Sequence, residues 1–309
     1  MPMFSDDTPR RIGTVDVEEI RSKFARLVDL DSYLGGADTF RLYFAELGRT
    51  EQTLSRATGT LQVRADLAEL AAEQAQQAGW AAFDAGFTDT ALRLFRYSQE
   101  AAEEAGSREL VANAFVHIAY ATGKADSVVA AQTACTAIGI GAPAKARALL
   151  ESRRAWLCAV AGDRDSAAHA LDAVRDALEE NDQAAPHWCA WVDHAELDIM
   201  TGRVWSVLRQ PDKATGPLER ALAGYPDQWA RDKSLYLTWL ADAYLDAGNE
   251  AEAIAAADRA LALAGRVASV RPLARVREVA QRCSATGTAS GADFARRAAA
   301  ASAPIPAQL

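Results

Sequence analysis

The residues best able to do chemistry are gathered between His187 and His194, where two histidines, Cys189 and Asp193 fall within eight positions. Imidazole and thiolate are the usual ligands of zinc. On one helix, however, His187 and His194 stand two turns apart, about 10 Å along the axis, whereas two ligands of one ion each sit about 2 Å from it. His194 and Asp198 have one-turn spacing but supply only two donors. No metal site is expected, and Trp188 and Trp191 are expected to anchor this segment on its neighbour. Gly139, Gly141 and Ala144 satisfy the loose GxGxxA form of a dinucleotide loop, but they follow a helical stretch and not the strand that the motif requires. No serine or Cys/His pair stands in the context of a nucleophile. General acid–base chemistry would have to come from His117, Asp84, Glu196 and Asp242, brought together from distant parts of the chain. No cofactor is expected.

Positioning such residues falls to helices. The chain has 309 residues, half of them apolar, and alanine dominates that half. Alanine loses no side-chain entropy on entering a helix, and no run alternates between apolar and polar residues as strands do. A net charge of −9 argues against holding a nucleic-acid backbone directly. The four cysteines have no paired spacing and read as small buried residues of a reducing compartment. No apolar run is long enough to span a bilayer. A soluble cytoplasmic protein without membrane contact is expected.

The strongest organising signal is a ladder of slim residues, Ala91, Val128, Ala167, Ala214 and Ala253, with steps of 37, 39, 47 and 39 residues. A small residue recurring at that period marks helix pairs that cross closely and stack. Gly79 and Gly202 are read as close-packing positions, and Gly86 and Gly162 as left-handed turn residues ending first helices. The predicted fold is all-α, a right-handed superhelical solenoid of antiparallel helix pairs. Its parts are a disordered leader (1–12), an N-terminal helical hairpin (13–60), an array of about five pairs with a capping helix (61–283) and a flexible tail (284–309). Arg271, Arg275, Arg277 and Arg282 are expected to give the capping helix a solvated side. The long step before Ala214 is read as an insertion with a lengthened first helix.

These features resemble the tetratricopeptide repeat. The fourth unit carries Gly202, Trp205, Ala214, Leu218, Ala221 and Pro226 at that family's offsets, and the fifth carries Leu240, Tyr244 and Ala253. The second departs most, with Val116 and Val128 where small residues are expected. Residues 9–283, and the segment from Leu67 to Gly106 above all, are similar to the sensor region that follows the DNA-binding domain in actinobacterial Xre-type regulators. The helix-turn-helix domain itself is not found in the sequence. The resemblance therefore implies either part of a regulator or a stand-alone relative without direct DNA binding.

In tetratricopeptide arrays the first helix of each pair lines the concave face. Carried onto this chain, that implies Gln76, Trp80, Phe83, Asp84, Asn113, His117, Tyr120, Ser152, Trp156, Glu196, Arg203, Thr238 and Asp242 as groove residues. Their mixture of aromatic, amide and charged groups suits a peptide or a small organic ligand. The alternative for Trp80 and Trp156 is that they fill gaps between units, and for His117 that it is a packing residue. Three readings stay open: a ligand- or peptide-sensing module with a protein partner, an enzyme or accessory protein of a biosynthetic pathway, and a homodimerisation scaffold without ligand.

Overall fold

A computed structural model describes residues 11–139, 141–180 and 185–303. Among them the chain is all-α and solenoidal, with one isolated bridge between Arg11 and Thr58. Helix α1 (Thr14–Asp29) and a short 3-10 turn lead into α2 (Gly36–Arg56). Six antiparallel pairs follow: α3 (Leu61–Asp84) with α4 (Thr88–Ala105), α5 (Arg108–Thr122) with α6 (Ala125–Thr136), and α7 (Ala144–Val160) with α8 (Arg164–Glu179). Then come α9 (His194–Val207) with α10 (Pro211–Ala223), α11 (Ala230–Asp246) with α12 (Glu250–Ala264), and α13 (Val270–Ala285) with α14 (Ala289–Ala300).

The ladder is the contact line of these pairs. Ala91, Ala167, Ala214 and Ala253 are all fully buried, whereas Val128 is only partly covered. A Cβ on Gly79 would lie 2.5 Å from the Phe95 ring, and one on Gly202 would lie 2.2 Å from Leu218 Cγ, so both glycines let their partner helix approach. Gly86 and Gly162 have φ of +91° and +80°, the left-handed conformation that ends a helix at little cost only for glycine.

Three expectations are corrected. The predicted flexible tail contains α14, whose Thr288 cap accepts from the Gly291 N–H and whose Phe294 and Ala298 are fully buried against the last core cluster. A sixth pair forms because α13 offers the apolar face of Val276, Val279, Ala280 and Cys283, which α14 helps to cover. The fourth unit's first helix is not lengthened: α9 begins at His194, capped by Asp193, after a 3-10 turn at His187–Cys189. Of the predicted leader, residues 1–10 lie outside the described residues, and Ile12 is buried with its N–H donating to the Thr58 carbonyl at 2.9 Å.

The array also closes on itself. The segment between α12 and α13 docks on the start of α2 and the end of α3. The Ala37 N–H donates to the Ala268 carbonyl at 3.1 Å. A Cβ on Gly35 would lie 2.4 Å from the Ala268 backbone, so this approach excludes a side chain. Asp84 binds the junction together. Its carboxylate, fully buried, accepts from the Gly36 N–H at 2.9 Å and the Ser269 hydroxyl at 2.7 Å, with Arg271 at 3.3 Å. A second tie joins Arg231 of α11 to Asp31 at 2.8 Å. These ties join the two ends of the array around a partly open cavity.

Candidate functional site

The first helices of all six pairs surround a cavity of about 1090 Å³, slightly above the roughly 300–1,000 Å³ usual for small-molecule sites. Its wall is an aromatic belt. His117 is stacked on Phe95 at 4.9 Å and lies 5.4 Å from Trp80. Trp80 meets Tyr120 edge-on at 6.0 Å, Tyr120 lies parallel to Trp156 at 6.1 Å, and Trp156 meets Trp239 edge-on at 5.1 Å. Guanidinium groups cover these rings: Arg271 over Trp80 at 4.5 Å, Arg203 over Trp156 at 4.6 Å and Arg275 over Trp239 at 3.9 Å. Such contacts hold a cation in place without removing its capacity to bind an anion.

Nine residues expected in the groove line this cavity: Gln76, Trp80, Phe83, Asn113, His117, Tyr120, Trp156, Glu196 and Arg203. Gln76 and Asn113 also brace the wall, Asn113 Nδ2 donating to Gln76 Oε1 at 2.7 Å and Gln76 Nε2 to the Leu110 carbonyl at 3.0 Å. Four expected residues do not line it. Asp84 is the buried closure hub. Ser152 and Thr238 are buried, with hydroxyls returned to the carbonyls of Leu149 and Leu235 at 2.6 Å. Asp242 is held by Arg275 and Arg282.

Two of these departures have one cause. In α7 and α11 the residues one position on, Arg153 and Trp239, enter the cavity instead. One residue is about 100° of helix rotation, so Ser152 and Thr238 point away from the cavity although Trp156 of α7 lines it. Sequence reasoning also missed Arg231, Asp232 and Tyr236, all on α11. The solvated side expected for Arg271 and Arg275 is a further correction. Stacking of α13 on α11 sets Arg275 over Trp239, closure at Asp84 brings Arg271 over Trp80, and both arginines line the cavity. A cluster of arginines at helical spacing looks the same in sequence whether it faces water or an aromatic interior.

The charged groups of the wall are largely paired. Burial pushes Glu196 upward, opposed by Arg153 at 3.0 Å and by Arg203. Asp232 is buried too, which would raise it, yet Arg231 at 3.0 Å overrides that and its net shift is downward. His117 is pushed down to about 3, first by burial and then by Arg153, and its Nδ1 has no hydrogen-bond partner. His117 is therefore neutral at physiological pH and packs as a ring. Of the acid–base candidates, Asp84 and Asp242 do not line the cavity, and His117 and Glu196 are engaged in stacking and in an ion pair.

The His117 shift has a direction in stability. Above pH 6.5 the folded and unfolded forms are both neutral there. Below it the unfolded chain takes a proton that the folded chain refuses, so stability is lost as pH falls from about 6.5 towards 3. Between pH 6.5 and 5 the loss is expected to be about 1–2 kcal/mol. Urea unfolding of wild type and His117→Phe, which keeps the stack on Phe95, checks this. The variant is expected to lose less stability than wild type over that interval, and equal losses would show that His117 is not the group responsible.

Among the described residues no group of three or more His, Cys, Asp or Glu side chains is placed to hold a metal ion. No helix among them is long and apolar enough to cross a membrane. Gly139 follows α6 and precedes α7 in a connection with no strand before it. No family model and no curated protein matches this chain. Among solved structures, the chain is similar to the crystal structure of a thermophilic TPR protein from Thermus thermophilus. The identity is 22%, the TM-score is 0.46, and the match covers 67% of this chain and 98% of that one.

Proposed function

We propose that this chain is a ligand-sensing module: a mid-sized organic molecule binds inside the ring, and its binding is read out through closure of the array. The observation that carries this reading is the junction at Asp84, which joins the ends of the array around a partly open, aromatic-lined cavity. A cavity bounded at both ends of the array suits a small molecule better than a long peptide, which needs a continuous groove to lie along. Arg271 supplies a route for the readout, since it touches both Trp80 in the wall and Asp84 in the junction. A ligand that favours this position of Arg271 favours the closed ring, and a partner surface near the junction would sense the difference. The resemblance to the sensor regions of Xre-type regulators makes a regulatory protein partner the natural recipient.

The test uses N-phenyl-1-naphthylamine, an uncharged fluorescent ring compound, as cavity probe. Wild type is expected to bind it, and Trp80→Ala and Trp156→Ala are each expected to weaken it about tenfold, the order expected when an aromatic wall is truncated. Hydrogen exchange of residues 35–37 and 267–271 is expected to slow when the probe is bound. Unchanged affinity in both variants would sink the cavity as the binding site. Binding without any slowing at the junction would sink the closure readout.

A further inference from the structure

The cavity's arginines are not equivalent. Arg153 pairs with Glu196 at 3.0 Å, Arg220 with Asp198 at 2.7 Å, Arg231 with Asp31 at 2.8 Å and Arg271 with Asp84 at 3.3 Å, and Arg275 pairs with Asp242. Arg203 has no carboxylate within ion-pair distance among the described residues. Its hydrogen-bonding contact is Nη1 to the Met200 sulfur at 3.3 Å, and its buried Nε has no acceptor. The acids that act on it electrostatically, Glu196 and Asp232, are already hydrogen-bonded to Arg153 and Arg231. The guanidinium is held in place, 4.6 Å over Trp156 and 5.9 Å from Trp239.

Two other donors of the cavity lining share the same condition. Trp229 Nε1 and Arg231 Nη1 both belong to cavity-lining residues, are buried, and have no acceptor among the protein's own groups. Arg231 is itself more than nine-tenths buried. A buried donor left unmatched destabilises the fold, and more so when it is charged. One such group is a packing imperfection. An arginine without a carboxylate partner, stacked on Trp156 in an aromatic-walled cavity that also holds two unmatched donors, is the donor pattern of an anion site.

We infer that Arg203 is the anion-binding residue of the cavity, and that the ligand is an organic anion: an unsaturated ring body lying against Trp156 and Trp239, with a carboxylate, sulfonate or phosphate on the Arg203 guanidinium. This rests on the cavity being a ligand site, as proposed above. It adds the ligand's charge and the residue that selects for it. The remaining acceptor atoms of the ligand would meet Trp229 Nε1 and Arg231 Nη1. Arg203 differs from Lys here because its planar fork stays flat on the indole while presenting N–H groups to two acceptor oxygens.

The experiment compares two probes with one ring scaffold. 8-Anilinonaphthalene-1-sulfonate carries the anion, and N-phenyl-1-naphthylamine lacks it. Wild type is expected to prefer the sulfonate by about tenfold or more, the scale of one charge-assisted hydrogen-bonded pair. Arg203→Gln is expected to lower the sulfonate-to-neutral affinity ratio at least tenfold. Arg203→Lys, with circular dichroism confirming the fold of both variants, is expected to retain part of it, because the charge remains while the stacked fork is lost. A ratio that survives Arg203→Gln overturns the assignment. So does a ratio lost equally with lysine and glutamine, because repacking of Trp156 then explains the loss. If the neutral probe binds and depends on Trp156 while the ratio ignores Arg203, the anion site fails and the cavity stands. If neither probe binds wild type, both readings fall together.

Discussion

Replacing Asp84 with alanine is expected to remove about 3–5 kcal/mol of stability and to open the ring. The carboxylate is fully buried and joins three parts of the chain: Gly36 at the start of α2, its own helix α3, and Ser269 with Arg271 at the start of α13. Alanine leaves the Gly36 N–H and the Ser269 hydroxyl buried without acceptors and deprives Arg271 of its partner. Losing one side of a buried charged network typically costs in that range. The loss is expected to be concentrated at the junction, because stacked pairs depend mainly on their neighbours and the remaining pairs keep theirs. Hydrogen exchange is therefore the sharper measurement, with residues 35–37 and 267–271 exchanging much faster while α7 and α8 are little changed. Small-angle scattering is expected to show a larger radius of gyration. Asp84→Asn, which keeps the shape and one acceptor, is expected to lose less and provides a measurement if the alanine variant does not fold. A compact alanine variant with a protected junction would mean that Ala268 packing alone closes the ring.

The second large effect is expected at Gly202. Even a Cβ there would stand 2.2 Å from Leu218 Cγ and under 3 Å from both methyl groups of Leu218. Gly202→Val adds two further methyl groups to that contact, so α9 and α10 must separate. Overpacking of a well-filled core typically costs about 1–3 kcal/mol and occasionally more, and this position sits at the upper end, about 3 kcal/mol or beyond. The displacement also moves Arg203, the next residue, so probe affinity in the cavity is expected to fall together with stability. Gly48, within α2, is the control: a Cβ there meets nothing within 4 Å. Gly48→Ala is expected to stabilise the protein by up to about 1 kcal/mol through helix propensity alone. Chemical unfolding of the pair of variants checks both signs. A tolerated valine at Gly202 would show that this helix pair is looser than its packing implies.

The pairing of helices was legible in the sequence because it depends on local quantities. Four of the five ladder residues are fully buried, and the two close-packing glycines stand where a Cβ would strike the partner helix. The cavity wall was legible to the extent that the helical phase was right. Trp80 of α3, His117 and Tyr120 of α5, Trp156 of α7, and Glu196 and Arg203 of α9 lie on the wall, whereas Asp84 of α3 does not. At one position each in α7 and α11 the next residue, Arg153 or Trp239, lines the cavity where Ser152 or Thr238 was expected. The conspicuous segment from His187 to His194 is not one helix at all, since a 3-10 turn and a capping aspartate divide it.

What the sequence by itself determined, then, is the repeating unit: alanine and glycine at fixed steps make each pair of helices close-packed, a short-range property written in neighbouring residues. What only the tertiary structure decided is that the array shuts. That depends on the summed curvature of six pairs bringing Asp84 to Ser269, 185 positions away in the chain, and no local periodicity encodes such a sum. The same closure turned Asp84 from a groove residue into a junction and Arg271 from a solvated side into a cavity wall.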